Sequence, residues 1–170
     1  PESSSDPVPK YISYLKNGVK DKTFGVPKKP FFDEIHPDTQ KLMDDALRTI
    51  EELGGKPKEV EVKYMDIATP TGFNIVLAEC PYLMEDYLKA FDPEATIEKY
   101  AEQLGADVKP PIAGSKSKPV PGYAYAKSVR QDRNKMIAGF EDAMLGTDAL
   151  LLPTTPLPAC KIGDDMETEL

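Results

Sequence analysis

Apolar and polar positions follow two different periods along the chain, and the change of period separates predicted helices from predicted strands. Apolar residues recur at helical spacing over residues 42–53, after Pro37 and before Gly54. Because helices accept proline in their first turn and commonly end at glycine, this stretch predicts an amphipathic helix. The compact apolar run Thr23–Val26 predicts a buried strand, and the alternation over Glu59–Val62 predicts a half-exposed strand.

These three elements, taken in order, predict a βαβ unit with parallel, neighbouring strands and a right-handed crossover. The apolar run Ala149–Leu152, closed by Pro153, predicts a third short strand. The first and third strands lack alternation, so we expect them to be covered on both faces. The pattern therefore favours an α/β fold with helices on both faces of a sheet. Three strands make a narrow core, so we expect the fold to be incomplete in this chain.

Three further helices are predicted between the second and third strands. They cover Asn74–Phe91, where Pro81 allows a kink or break, then Asp92 to about Leu104, and about Tyr123 to Leu145. The proline-rich stretch at 109–121 predicts an exposed loop, and residues 1–9 predict a linker or arm. The length fits one domain over residues 1–170.

Composition and charge narrow the classes of function. With 21 basic and 29 acidic residues the formal net charge is −8, which repels a polyanion, so we expect no nucleic-acid partner. The apolar runs fall well short of the ~18–20 residues that a membrane span needs, so we expect no membrane partner either. We find no secretory leader and no paired-cysteine motif, which favours a reducing, cytoplasmic location.

The residues themselves predict no catalytic engine and no metal or cofactor site. The G-x-S-x-G pattern of α/β hydrolases does not occur. His36, the one histidine, precedes Pro37, where its ring is better placed to cap the helix than to act as a base. Cys80 lies in an apolar stretch, and Gly114–Lys118 has too few glycines for a phosphate loop. We expect the 114–118 stretch to be solvated.

Two longer segments carry a family resemblance. The first runs from Lys22-Thr23-Phe24-Gly25-Val26-Pro27 through Phe31-Phe32-Asp33 and Pro37 to the strand at Val60. The second runs from Thr147 to Asp164 and contains D-A-L-L-L-P-T-T-P-L-P-A-C-K-I-G-D. Both resemble blocks of the amidase signature family, the serine amidohydrolases that include bacterial and fungal amidases and the A subunit of glutamyl-tRNA amidotransferase. Their order and spacing agree over nearly the whole chain.

The resemblance implies a mixed β-sheet flanked by helices and a hydrolase that cleaves carboxamide C–N bonds through a serine acyl-enzyme. The family's Ser-Ser-Lys triad belongs to a G-S-S-G-G-S stretch, which does not occur in these residues. The resemblance therefore implies that this chain is the later portion of the amidase domain. It also implies that other polypeptide supplies the catalytic half. We therefore assign no catalytic residue here and expect the chain alone to be inactive. The implied partners are that catalytic half and a small amide substrate, with a homodimer left open.

The resemblance also implies residues on the substrate side. In the amidotransferase subunits an arginine on the long helix before the D-x-x-x-x-P-T strand holds the substrate carboxylate, and counting back from Asp148 gives Arg133, with Tyr125 upstream. A guanidinium suits a carboxylate through two parallel hydrogen bonds. The alternative is that Arg133 pairs with nearby acids such as Asp132. Thr154 and Thr155 follow the third strand, where α/β sheets place ligands.

Two other functions stay open at this point. The chain could be a non-catalytic, amidase-derived structural or interaction fragment, or a small ligand-binding α/β domain. The sequence alone leaves these alternatives beside the amidase.

Overall fold

The computed structural model describes residues 7–106 and 108–161, apart from the side chains of Ala113 and Ser115. The chain divides into two compact units, Pro1–Glu61 with Ala143–Leu170 and Val62–Asp142. Most of the predicted arm at residues 1–9 lies outside the described residues. Two compact units can belong to one domain, so the single domain stays a prediction.

The first unit contains a three-stranded parallel sheet. Its strands are β1 (Thr23–Pro27), β2 (Lys56–Val60) and β3 (Ala149–Leu150), in the order β2-β1-β3. The three predicted strand segments share one sheet, which confirms the α/β fold class. The resemblance implied a mixed sheet, whereas these described strands are all parallel.

The second strand begins earlier than its alternation predicted. β2 pairs with β1 from Thr23 opposite Lys56 to Pro27 opposite Val60, and Pro57 lies within it. A proline indicates a turn in sequence, yet an edge strand tolerates it where the missing N–H faces away from the neighbouring strand. Pairing with β1, rather than side-chain alternation, therefore sets the bounds of β2.

Helix α1 (Pro37–Glu52) connects β1 to β2 and completes the predicted βαβ unit. The Nδ1 atom of His36 accepts a hydrogen bond from the backbone N–H of Asp38 at 3.2 Å. The predicted capping role of His36 is confirmed. The helix ends before Gly54, whose φ of 85° lies in the left-handed region that favours glycine.

Side chains of both neighbouring strands lie close to Gly25 on β1. A Cβ atom at this position would lie 2.7 Å from Cδ2 of Leu150 and 3.1 Å from Cγ2 of Val60. Both neighbouring strands thus fill the space that a side chain on β1 would need. A side chain at residue 25 would therefore require the terminal methyl group of Leu150 to move.

The second unit is helical. Its elements are a 3-10 turn (Met65–Ile67), α2 (Ala68–Lys89), α3 (Ile97–Ala101), α4 (Lys109–Ser117) and the long helix at 122–144. The first unit also has a 3-10 turn, at Tyr11–Tyr14. α2 starts earlier than predicted because Pro70 lies in its first turn, where helices accept proline. It also continues through Pro81, which is buried inside it. None of the described helices is long and apolar enough to cross a membrane.

Two predictions in this unit were wrong. The stretch at 109–121 was expected to be a loop, but Lys109–Ser117 is helical because Pro110 and Pro111 occupy the first turn, where no N–H is needed. The helix expected from Asp92 starts at Ile97 instead, with Thr96 accepting a hydrogen bond from the Lys99 N–H. The Asp92 carboxylate forms a local turn with the Glu94 N–H.

The carboxylate of Glu85 joins three of these helices. It accepts hydrogen bonds from Nζ of Lys116 at 2.5 Å, Nζ of Lys89 at 2.7 Å and the Ile97 N–H at 3.1 Å. Lys116, followed by Lys89 and the Ile97 amide, lowers the pKa of Glu85 to about 2. Glu85 therefore stays ionised at neutral pH and links α2 to α3 and α4.

The long helix contains an unpredicted irregularity. It consists of α5 (Gly122–Lys127), a π turn (Ser128–Asp132) and α6 (Arg133–Met144). Its bounds agree with the predicted helix at about 123–145. A π turn closes hydrogen bonds to the fifth residue and so holds one residue more than an α turn.

We predict that Gly139→Ala destabilises the protein by about 1–3 kcal/mol, the usual cost of overpacking. A Cβ atom at Gly139 would overlap the carbonyl oxygen of Lys63, so a backbone segment must move. The matched control is Gly72→Ala on α2, where the position faces open space; there the change should stabilise by about 0.5–1 kcal/mol. Urea unfolding measures both, and equal effects would contradict the close approach at Gly139.

Candidate functional site

Arg133 and Tyr125 lie on the long helix of the second unit, on either side of the π turn. Arg133 is the first residue of α6 and its side chain is exposed. Tyr125, on α5, is half-buried, and its hydroxyl donates a hydrogen bond to Oε1 of Glu79 at 2.6 Å. This hydrogen bond and the burial of the ring edge raise the pKa of Tyr125. Tyr125 is thus anchored to α2, while Arg133 is free to meet a solute.

The π turn between them carries a polar cluster that the sequence did not predict. Ser128 is 1% exposed and Asp132 is 6% exposed. Nδ2 of Asn74 on α2 donates to Oγ of Ser128 at 3.1 Å, and Nζ of Lys127 pairs with Oδ2 of Asp132. Within the part of the chain that the structure describes, Oδ1 of Asp132 has no hydrogen-bond partner.

This cluster removes one member of the alternative for Arg133, which was an ion pair with Asp132, Glu141 or the tail. Asp132 was considered as an ion-pair partner of Arg133, but its carboxylate turns inward and pairs with Lys127. The signal that could have found this pair is the spacing of five residues between Lys127 and Asp132, which fits a π turn rather than an α turn. The guanidinium of Arg133 is consequently not neutralised by its neighbour.

Thr154 and Thr155 lie in the first unit, in the turn that leaves β3. Both are exposed, whereas Pro153 before them is buried. Oγ1 of Thr155 donates to the carbonyl of Leu157 at 2.8 Å, and the His36 N–H donates to the carbonyl of Pro156 at 2.9 Å. The turn is therefore fixed against the start of α1, and the hydroxyl of Thr155 is already used locally.

Asp148 positions the strand that leads into this turn. Its carboxylate accepts from Nζ of Lys22 at 2.8 Å and from the Thr23 N–H at 2.8 Å. Lys22, followed by the Thr23 amide, lowers the pKa of Asp148, and Asp148 in turn raises the pKa of Lys22. The Asp148 carboxylate thus links the residue before β3 to the start of β1.

Lys116 and Cys80, two other residues considered for chemistry, contact neighbouring side chains. Lys116 lies against Glu85 and Glu98, and Glu85 in first place raises the pKa of Lys116, so its amine stays protonated and is a poor base. Sγ of Cys80 lies 3.4 Å from Sδ of Met84. No group of three metal-ligating side chains occurs among residues 7–106 and 108–161.

The second unit also has cavities along α2. One of about 360 Å³ is lined by Tyr125 together with Glu79, Tyr82 and Pro119. A larger one of about 530 Å³ is lined mainly by apolar side chains, and of the predicted site residues none lines it.

The model of the Amidase family matches residues 1–169. The chain belongs to the amidase family. The first structural neighbour compared is a crystal structure of an amidase, with a TM-score of 0.69 and 22% identity over 86% of this chain and 31% of that one. A bacterial aryl acylamidase of the amidase signature family gives a TM-score of 0.65 at 14% identity, covering 89% of this chain and 32% of that chain. These likenesses confirm the amidase-type fold.

Curated relatives of this amidase-family chain include two enzyme types. The A subunit of glutamyl-tRNA(Gln) amidotransferase from Syntrophus aciditrophicus is 30% identical over 96% of the chain and 36% of its own length. The corresponding protein from Carboxydothermus hydrogenoformans is 32% identical, over 92% and 35%. An amidase of Pseudomonas putida is 30% identical, over 99% and 34%. The chain therefore spans about a third of the length of the curated relatives it matches.

We predict that Asp148→Asn destabilises the first unit at neutral pH and that the difference from the unsubstituted protein disappears in acid. The pKa of Asp148 is lowered on folding, so its contribution is present above the ordinary carboxyl value of about 3.9 and is lost as the pH falls through the folded value. The pKa of Lys22 is raised, so its contribution is lost only as the pH rises above about 10.4.

Urea unfolding from acidic to neutral pH measures this difference. The matched control is Asp45→Asn, which breaks the exposed pair with Arg48 on α1 and should change stability by no more than about 0.5 kcal/mol. A difference for Asp148→Asn that is the same at every pH would contradict the assignment.

Proposed function

We propose that this chain is the later portion of an amidase that hydrolyses carboxamide C–N bonds through a serine acyl-enzyme. The observation that carries the proposal is the family match over residues 1–169, supported by relatives named as an amidase and as the A subunit of an amidotransferase. The serine nucleophile, the bridging serine and the lysine base are supplied by polypeptide outside these residues. A small amide is the substrate, and the catalytic half of the domain is the partner.

The division of labour follows from the chemistry. Acyl transfer needs an activated nucleophile and donors that meet the oxyanion. We assign neither to this chain, because Lys116 is held protonated by Glu85 and Glu98 and no serine of the described residues is arranged with a free amine. The role left for this chain is to support the fold and to hold the substrate.

Arg133 is the residue we propose for binding a substrate carboxylate. Its side chain is exposed on α6, and its neighbour Asp132 is engaged by Lys127. An arginine that does not pair with an adjacent acid keeps its charge and its N–H donors for two parallel hydrogen bonds to a carboxylate. Tyr125, Thr154 and Thr155 complete the proposed substrate-contacting set, with Tyr125 acting mainly through its ring because its hydroxyl donates to Glu79.

A non-catalytic, amidase-derived fragment is the second candidate, and the chain's coverage of about a third of its relatives keeps it in view. The two candidates share the fold. They differ in whether a Gly/Ser-rich catalytic segment belongs to the native protein, which the mass of the native polypeptide tests directly.

We predict that Arg133→Ala in the complete amidase raises KM for a carboxylate-bearing amide about tenfold or more, the value of a hydrogen bond to a charged group. KM for a neutral amide of the same length should change by no more than about twofold. Steady-state kinetics with both amides measures this. The control is Lys135→Ala, which removes an exposed cation from the same helix. Equal losses for both substrates would contradict a carboxylate-binding role.

We also predict that the 170 residues alone release no ammonia from simple aliphatic or aryl amides. The reason is that the nucleophile and its base lie elsewhere. Ammonia release by the purified chain is compared with that of the complete amidase under the same conditions. Turnover by the purified chain would show that a nucleophile is present within it, and would overturn the proposed division.

A further inference from the structure

The π turn changes the direction in which Arg133 leaves the helix. Arg133 follows Tyr125 by eight positions, which in a regular α-helix places the two about 80° apart around the axis, at about 100° per residue. One extra residue in a turn brings that angle to about 20°. The π turn thus aligns the two residues along one face of the helix.

The ion pair of Lys127 and Asp132 spans this turn. The two residues are five positions apart, which is the repeat of a π turn, and they stand at its two ends. The Lys127 side chain is 41% exposed, whereas the Asp132 side chain is 8% exposed. A buried carboxylate is costly unless it is paired, so releasing Lys127 would leave Asp132 in an unfavourable environment. The pair therefore favours the wider turn over an α turn.

Two contacts to α2 hold the upstream side of the same turn. Asn74 donates to Ser128, the first residue of the π turn, at 3.1 Å. Tyr125 donates to Glu79 at 2.6 Å. Because α5 is held on α2 in this way, a change in the turn alters the direction of Arg133, the residue directly after it, relative to Tyr125.

We propose that Asp132 and Lys127 are positioning residues for substrate selection: their pairing maintains the π turn, and the π turn aims Arg133 along the face that carries Tyr125. This inference rests on the proposed function of Arg133. On this inference, Asp132 affects the selectivity for carboxylate-bearing amides only by positioning Arg133. Neither residue touches the substrate.

The test uses the complete amidase and a pair of amides of equal length, one ending in a carboxylate and one in a second carboxamide. Asp132→Asn should raise KM for the carboxylate amide about tenfold. It should change kcat, and KM for the neutral amide, by no more than about twofold. Lys127→Met breaks the same pair from its exposed end and should act alike. It is made in parallel so that the result does not depend on one variant folding.

The matched control is Asp142→Asn. Asp142 is an acid on the same helix, and it pairs with Lys63 at 3.2 Å where both side chains are half exposed. Its substitution should leave the selectivity between the two amides unchanged. An equal loss in this control would show that any ion pair on the helix matters, and would overturn the specific role of the π turn.

Two double variants separate positioning from general damage. In the Arg133→Ala background, Asp132→Asn should add nothing to KM, because the residue that it positions is absent. Deleting the exposed Gln131 from the Asp132→Asn variant removes the surplus residue, so a regular α-helix then restores the alignment of Tyr125 with Arg133. This deletion should recover most of the lost affinity.

The outcomes separate this inference from the proposed function. If Arg133→Ala changes selectivity but Asp132→Asn and Lys127→Met do not, the carboxylate-binding role stands and the positioning role is overturned. An effect of Asp132→Asn that persists without Arg133 also overturns it. If Arg133→Ala itself has no selective effect, the proposed carboxylate site is wrong, and the positioning role fails with it.

Discussion

The parallel pairing of β1 with β3 is the interaction that joins the two chain segments of the first unit. β1 is the central strand, and Leu150 and Val60 approach it closely enough to occupy the place of a Cβ atom at Gly25. A side chain at residue 25 would have to displace the terminal methyl group of Leu150, the residue opposite it in the pairing with β3. Asp148 and the turn at Thr154–Thr155 follow from that pairing, because both adjoin β3. This pairing thus fixes Asp148 and the turn after β3 within the first unit.

The βαβ unit was predictable because its signals are local. His36 and Pro37 mark the start of α1, and glycine marks its end, so composition and backbone conformation agree. The ends of β2 and α4 were less predictable, because strand pairing or the position of a proline in the first helical turn outweighs the residue composition there. Pro57 lies inside β2, and Pro110 and Pro111 lie inside α4, because each proline occupies a site where its missing N–H is not needed.

The candidate site divides in the same way. Arg133 came from a family resemblance, and the structure places it exposed on α6. The π turn was not predicted, because the apolar positions were assigned to one regular helix, although one extra residue shifts the phase of the helical period by about 100°. Asp132 was considered as a partner of Arg133, whereas in the structure its carboxylate is buried and pairs with Lys127.

Pro57 also affects how the sheet meets other molecules. The Lys56 N–H donates inward to the Lys22 carbonyl, and because the direction of successive N–H groups alternates along a strand, the nitrogen of Pro57 faces the outer edge of β2. Since proline has no N–H, that edge lacks the first of the two outward donors that residues 57 and 59 would otherwise supply. A strand from a second molecule would find an incomplete template there, so β2 is protected against edge-to-edge aggregation.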